Sequence, residues 1–222
     1  MVIAIDGPAA SGKSTTAKLV AQKLGYLYID TGAMYRAVAL KAAREGVPLD
    51  DPAAISRMLE STVITQEPTS EGIRTMLDGS DVSREIRTPE MSKAASDISA
   101  LPAVRRRLVS LQQEMGRQGG VVMEGRDITT VVFPDAEVKV FMKASIAQRA
   151  MRRREELKAG GIECDLGQLE DQIAERDAQD SRRADSPLTQ APGSLVIDTS
   201  ALTIEQQVER VLEAVREKSR GR

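Results

Sequence analysis

Gly7-Pro8-Ala9-Ala10-Ser11-Gly12-Lys13-Ser14 fills every required position of the pattern G-x-x-x-x-G-K-[ST], directly after an apolar run at residues 2–5 that reads as a strand. Gly7 and Gly12 permit backbone turns and close approaches that a Cβ would hinder, so successive N–H groups can converge on one polyphosphate. Lys13 adds a point charge, and Ser14 offers a hydroxyl to a magnesium ion bridging the phosphates. The helix beginning there aims its positive end at the same anion. The alternative is a glycine-containing strand-to-helix turn with no ligand; the complete motif between strand and helix patterns favours a phosphate cradle.

The composition agrees with such a loop. The chain has 222 residues, 41% hydrophobic and 29% charged, a balance suited to one or two globular domains with a substantial core. Aromatics are 2%, with no Trp, and the net charge is −2, so a nucleic-acid partner is not expected. Cys164 is the one cysteine and cannot pair internally, and without His there is no Cys/His set for zinc. The lack of His also removes the commonest general base and favours chemistry that rests on positioning and electrostatics. The N-terminus enters a strand at once, and no apolar run approaches the roughly 20 residues that span a bilayer. A cytoplasmic location, no membrane contact and a monomer are therefore expected.

Outward from the loop, Ala17, Val20, Ala21 and Leu24 fall at i, i+3, i+4 and i+7, one helical face against a sheet, and Gly25 sits where that helix should end. Residues 26–29 read as a second strand, leading into Asp30-Thr31-Gly32-Ala33-Met34-Tyr35-Arg36 and a helix that Gly46 and Pro48 should stop. This alternation argues for a parallel sheet covered on both faces. Asp51-Pro52 then caps a short helix, and residues 62–66 and 73–77 form two short β runs with turn signals at 68–72 and at Asp78-Gly79, a small antiparallel insert. Thr88-Pro89 and Pro102 start two further helices, the second closed by Gly119-Gly120. Residues 121–123 and 138–142 are the next core strands, the first delivering Glu124-Gly125-Arg126-Asp127 at its C-terminal end. Ser145 with Gln148, and Thr203 with Gln206, have the spacing of capping boxes, and residues 195–198 read as the last strand.

Arg149, Arg152, Arg153 and Arg154 lie near Arg176, Arg182 and Arg183, on two helical stretches separated by Gly160-Gly161. Such runs are usually solvated faces. Behind a phosphate loop they can instead form a mobile cover whose guanidiniums stabilise a transferring phosphoryl group without proton transfer. Arg149 and Arg153 are i, i+4 and share a face, whereas Arg152 and Arg154 are expected to point elsewhere.

Together, Gly7 to Ser14, Asp30 to Arg36, the segment Asp78-Gly79-Ser80-Asp81-Val82-Ser83 to Ile86-Arg87, Ala94-Ala95-Ser96, Glu124-Gly125-Arg126-Asp127 and Glu175-Arg176-Asp177 resemble the bacterial cytidylate kinases over nearly the whole chain. The resemblance implies an α/β, three-layer P-loop kinase fold, with a five-stranded parallel sheet, a small antiparallel β insert in the nucleoside-monophosphate region and a helical lid. The core would take residues 1–30, 100–148 and 184–222, the monophosphate region 31–99 and the lid 149–183 of one domain. It implies transfer of the ATP γ-phosphoryl group to CMP or dCMP, with Mg2+.

By the same resemblance ATP would lie on Gly7, Pro8, Ala9, Ala10, Ser11, Gly12, Lys13, Ser14 and Thr15. Ser14, and Glu124 through water, would hold the metal; Glu124 stands where other members have Asp. CMP would be held by Thr31, Arg36, Ser96, Arg105, Arg126, Asp127, Asp180 and Arg183, with Thr31 where many members have Ser. Ser96 and Asp127 would accept from the cytosine amino group, and Arg105 would donate to N3 and O2. The transfer itself would fall to Lys13, Arg149, Arg153, Arg176 and Arg183. The rival readings are a P-loop kinase for UMP, AMP or a small hydroxyl acceptor, a nucleotide-binding switch, and a nucleic-acid-binding ATPase suggested by Arg105-Arg106-Arg107. No N-K-x-D tetrapeptide supports a guanine switch.

Overall fold

The structure, a computed structural model, describes residues 1–69 and 72–220. In chain order its elements are β1 (Val2–Asp6), α1 (Lys13–Leu24), β2 (Leu27–Asp30), α2 (Thr31–Glu45) and α3 (Pro52–Glu60). There follow β3 (Ile64–Thr69), β4 (Gly72–Leu77), β5 (Ser80–Asp81), α4 (Pro89–Ile98), α5 (Pro102–Gly116) and β6 (Val121–Gly125). A π-helical turn (Ile128–Val132) precedes β7 (Val138–Lys143), α6 (Ile146–Ala159), α7 (Leu166–Arg182), β8 (Leu195–Asp198) and α8 (Ile204–Arg220).

Five strands pair in parallel in the order β2-β6-β1-β7-β8, and β3, β4 and β5 form a separate antiparallel sheet. The period of two in β1 divides the core between the faces. Ile3 and Ile5 pack with Val20 and Ala21 of α1 and with Val208, Val211 and Val215 of α8. Ala4 turns to the other side, where Val38, Ile98, Val104 and Leu108 from α2, α4 and α5 cover the sheet. The result is the expected three-layer α/β/α arrangement. The covering helices α6 and α7 have a small core of their own, Ala150, Leu169 and Ile173, with Leu157, Cys164 and Leu166 against it.

Most caps fall where the sequence places them. Asp51, Thr88 and Ser145 accept from the first-turn amides of α3, α4 and α6, and Thr203 with Gln206 makes the full reciprocal box. At Ser145 only half of the box forms, because the Ser145 amide is taken by Ser200 Oγ instead of by Gln148. The second strand begins at Leu27 and not at residue 26, since the Tyr26 amide still closes α1 on Ala21 O. The first insert strand begins at Ile64 and not at residue 62, because Thr62 Oγ1 bonds back to Met58 O and the Val63 amide donates to Asp78.

The insert also carries a third strand. Asp78 and Gly79, both at positive φ, make a two-residue turn between Leu77 and its partner Ser80. Asp78 Oδ2 accepts from the buried Lys41 of α2 at 2.5 Å, which fixes the turn to the main body. The turn expected at residues 68–72 falls partly on residues 70–71, outside the described residues. The helix from Pro102 closes at Gly116, earlier than expected, with Phe133 of the segment after the π-turn packed on that glycine. The π-turn itself was not expected, since it is held from afar: Asp6 accepts from the amides of Ile128 and Thr129 and from Thr129 Oγ1 at 2.6–2.9 Å.

β1 runs between β6 and β7, so the loop that follows it emerges between their C-terminal ends. There a Cβ at Gly7 would lie 2.2 Å from the Met142 carbonyl oxygen of β7. Gly7→Ala is accordingly expected to cost about 1–3 kcal/mol, the usual range for overpacking. The readout is a lower urea midpoint at unchanged slope; an unshifted midpoint would mean the strands can part there at no cost.

Candidate functional site

The C-terminal ends of β1, β2 and β6 open into one cleft of about 2450 Å³, walled on its far sides by α4, α6, α7 and the insert. Helices α2, α3, α4, α6 and α7 each begin with a side-chain cap, whereas α5, entered through Pro102, and α1, entered at Gly12 at φ 89°, have none, and only α1 of these two opens beside the loop. Its first amides are thus left for an anion. Ala9, Ala10, Gly12, Lys13, Ser14 and Thr15 line the cleft, with Ala10 also in the left-handed region at φ 56°. Gly7, Pro8 and Ser11 are buried behind the loop.

Lys13 is buried, donates to Pro8 O at 3.1 Å and lies 3.8 Å from Glu124 Oε2. Burial, reinforced by Arg126 and opposed by Glu124, lowers its ammonium to about 8. Glu124 also accepts from the Tyr28 hydroxyl at 2.8 Å. Ser14 is exposed on the cleft wall, and Glu124 lines the same cleft. Among the described residues no group of three acidic, His or Cys side chains could hold a metal alone. The donor set suits a hard cation that takes its remaining ligands from phosphate and water, so these residues fit Mg2+.

Further along the cleft four guanidiniums gather. Arg36 pairs with Asp30 at 3.3 Å, Arg126 with Asp180 at 2.8 Å, and Arg183 with the other Asp180 oxygen. Burial raises the Asp180 carboxyl, and Arg126 and Arg183 more than offset it, leaving the group below the usual carboxylate range. Arg176 has no ion pair among the described residues, and its buried Nε has no partner. Burial and then Arg126 lower it to about 10. Arg87, which the sequence reading did not single out as a site residue, lies 3.7 Å from Asp30 and joins the wall.

At the closed end Arg105 is 4% exposed, ion-paired with Asp127 and bonded to Ser99 O at 3.1 Å. Its guanidinium lies 5.6 Å from the ring centre of Tyr35, and Ser96 Oγ donates to Gln179 Oε1 at 2.8 Å. Arg105 and Asp127 thus form a buried pair, and Ser96 lines the same cleft one helical turn before Ser99, whose carbonyl Arg105 holds. Thr31 is also on the wall, with its hydroxyl hydrogen committed to Glu124 O at 2.7 Å.

The covering helix α6 departs from expectation. Arg149 is buried, forks onto Asp177 and donates to Ala9 O and Ala144 O, so it ties α7 to the back of the loop. Arg153 lines the cleft and pairs with Glu156. Arg152, expected to point elsewhere, also lines the cleft, donating to the Thr199 side chain and carbonyl. The i, i+3 spacing from Arg149 puts it on a shared face, a signal the i, i+4 argument passed over. Arg154 is exposed, as expected.

Comparison with known proteins adds sequence and fold evidence. A family model described as cytidylate kinase matches residues 3–217. The chain is 53% identical over 214 residues to a cytidylate kinase of Pelotomaculum thermopropionicum, covering 96% of this chain and 95% of that one. It is 50% identical over 212 residues to one of Bacillus pumilus, covering 96% and 94%. Among solved structures, a gluconokinase of Sinorhizobium meliloti superposes with TM-score 0.50 at 15% identity, covering 99% of this chain and 94% of that one. A shikimate kinase of Bacteroides thetaiotaomicron gives 0.50 at 14%, covering 97% and 98%, and the two support the fold alone.

The lowered Lys13 value gives a signed expectation. Above about 8 the free ammonium is largely deprotonated. A bound polyphosphate favours its charged form, so binding takes up a proton and weakens as pH rises toward the ordinary lysine range near ~10.4. Calorimetric titration of ATP at about pH 9, in two buffers of different ionisation enthalpy, should show proton uptake by the wild type. Lys13→Arg, which stays charged, should show none; equal uptake by both would assign the proton to another group.

Proposed function

The chain belongs to the cytidylate kinase family, and from that membership and the cleft we infer that it transfers the γ-phosphoryl group of ATP to CMP or dCMP, giving CDP or dCDP and ADP. The observation that carries the reading is that the buried Arg105–Asp127 pair and Ser96 line the same cleft as the uncapped loop with Lys13. One end offers acceptors and a guanidinium suited to cytosine, and the other a cradle suited to phosphates.

The loop amides and Lys13 hold the donor phosphates, while Arg36 and Arg126 hold the acceptor phosphate. Ser14, and Glu124 through water, would hold Mg2+, which when bound would neutralise phosphate charge. An oxygen of the CMP phosphate attacks the γ-phosphorus, and the bond from that phosphorus to the β-γ bridging oxygen breaks. Charge on the phosphoryl oxygens in the loose transition state is met by Lys13, Arg153, Arg176 and Arg183. Arg149, engaged by Asp177 and Ala9 O, is given the role of positioning α7 against the loop.

At the base, Asp127 and Ser96 accept from the cytosine amino group, and Arg105 donates to N3 and O2. Uracil reverses the polarity at positions 3 and 4, and each buried mismatch costs about 1–3 kcal/mol. Asp180 holds Arg126 and Arg183 in place and is available to the ribose.

The deciding assay is ADP formation from ATP and Mg2+ with CMP, dCMP, UMP, AMP and GMP offered separately. Fast turnover with CMP and dCMP, lost in Lys13→Ala, is expected; preference for another acceptor would remove the roles given to Ser96, Arg105 and Asp127. Arg176→Ala should lower kcat by about 100- to 1000-fold with little change in the KM for ATP. Equal losses in both would make Arg176 an anchor of the donor.

A further inference from the structure

Arg176, Gln179 and Asp180 fall at i, i+3 and i+4 on α7, Arg183 follows the helix as its C-terminal cap, and all four line the cleft. Three of them have roles at the phosphates or ribose. Gln179 stands apart: it reaches across to α4, where its Oε1 accepts the hydroxyl hydrogen of Ser96 at 2.8 Å.

A serine hydroxyl has one hydrogen and two lone-pair sites, and the hydrogen rotates to suit its surroundings. A base reader of this kind is ambiguous by itself, since it can accept from an amino group or donate to a carbonyl. With the hydrogen committed to Gln179, Ser96 Oγ presents only lone pairs to the cleft. We infer that Gln179 is a positioning residue that fixes Ser96 as an acceptor and thereby adds to the choice of an amino-bearing pyrimidine over a carbonyl-bearing one. The inference rests on the CMP reading above and extends it to a residue of the covering helix.

The other groups facing the base do not remove the ambiguity. Asp127 is an acceptor whose Oδ2 is engaged by Arg105, and Arg105 is a donor in every state. Of the three groups assigned to the base, Ser96 alone can change polarity. When Gln179 loses its acceptor, the hydroxyl can turn and donate to O4 of uracil, which relieves one of the mismatches that exclude UMP.

The test is kcat/KM for CMP and for UMP in the wild type, Gln179→Met, Gln179→Glu, Ser96→Ala and the Ser96→Ala/Gln179→Met double variant. Methionine keeps length and shape without the amide oxygen, and glutamate keeps the acceptor. The CMP:UMP ratio should fall about fivefold in Gln179→Met, the worth of one ordinary hydrogen bond, and be retained in Gln179→Glu. In the Ser96→Ala background, Gln179→Met should leave the ratio unchanged. Equal rises in both KM values at constant ratio would show that Gln179 only holds α7 against α4 and would overturn the inference. So would a change in ratio that persists without the Ser96 hydroxyl. A wild type that does not phosphorylate CMP would overturn the reading of the cleft instead, before Gln179 is considered.

Discussion

The cleft depends on keeping several positive charges close together before any phosphate arrives. Lys13, Arg36, Arg126, Arg176 and Arg183 share one wall system, and each is partly or wholly withdrawn from water. Burial lowers Lys13 and Arg176 first, and the like charge of Arg126 lowers both further. Carboxylates set behind the cations hold the rest: Asp180 between Arg126 and Arg183, Asp30 under Arg36 and Arg87, Glu124 near Lys13. The balance is deliberately incomplete in a chemical sense, because fully paired arginines would have nothing left for a ligand. Arg176, which has no ion pair among the described residues, carries that deficit most plainly.

The sheet turns this electrostatic demand into geometry. β1 lies between β6 and β7, so the phosphate loop, the Glu124-to-Asp127 turn and the floor at Met142 emerge side by side. Asp6 then joins two of them. It ends β1 and accepts from the backbone at Ile128 and Thr129, which holds Asp127 at the base end at a fixed place relative to the donor loop. Burial raises the Asp6 carboxyl to about 6 against those hydrogen bonds, so its ionised form is retained near neutral pH because the amides require an acceptor. Insert and sheet are joined in the same manner, with Gln66 exchanging two hydrogen bonds with the backbone of Asp30.

Local patterns made much of this legible. The strand-loop-helix signature located the donor end, period-two and period-3.6 spacing located the sheet and its helices, and Pro or a small polar residue marked most helix starts. What escaped were features fixed by distant partners. The π-turn exists because Asp6 supplies acceptors from more than 120 positions away. Arg152 faces the cleft because Thr199 receives it. Ser96 and Arg105 look like ordinary helix residues, and family resemblance alone singled them out. Arg149 shows the opposite case: its charge and position marked it for the phosphates, and the structure engages it with Asp177 and the carbonyls of Ala9 and Ala144.

The two ends of the cleft therefore use different physics. At the phosphates, discrimination is coarse and charge is strong: guanidiniums do not distinguish one phosphate from another, and their value lies in stabilising charge that spreads during transfer. At the base, a single proton's position separates an acceptable ring from an unacceptable one, so neutral hydrogen-bonding groups must be held in one orientation. On the proposed reading both ends draw on α7, whose one face carries Arg176 and Gln179 and whose C-terminal cap is Arg183, all of them lining the cleft. With its own small core shared with α6, that helix can present these residues as a set. On that reading one helix serves both the base and the phosphoryl group, since Gln179 on Ser96 and Arg176 at the cleft wall belong to the same segment.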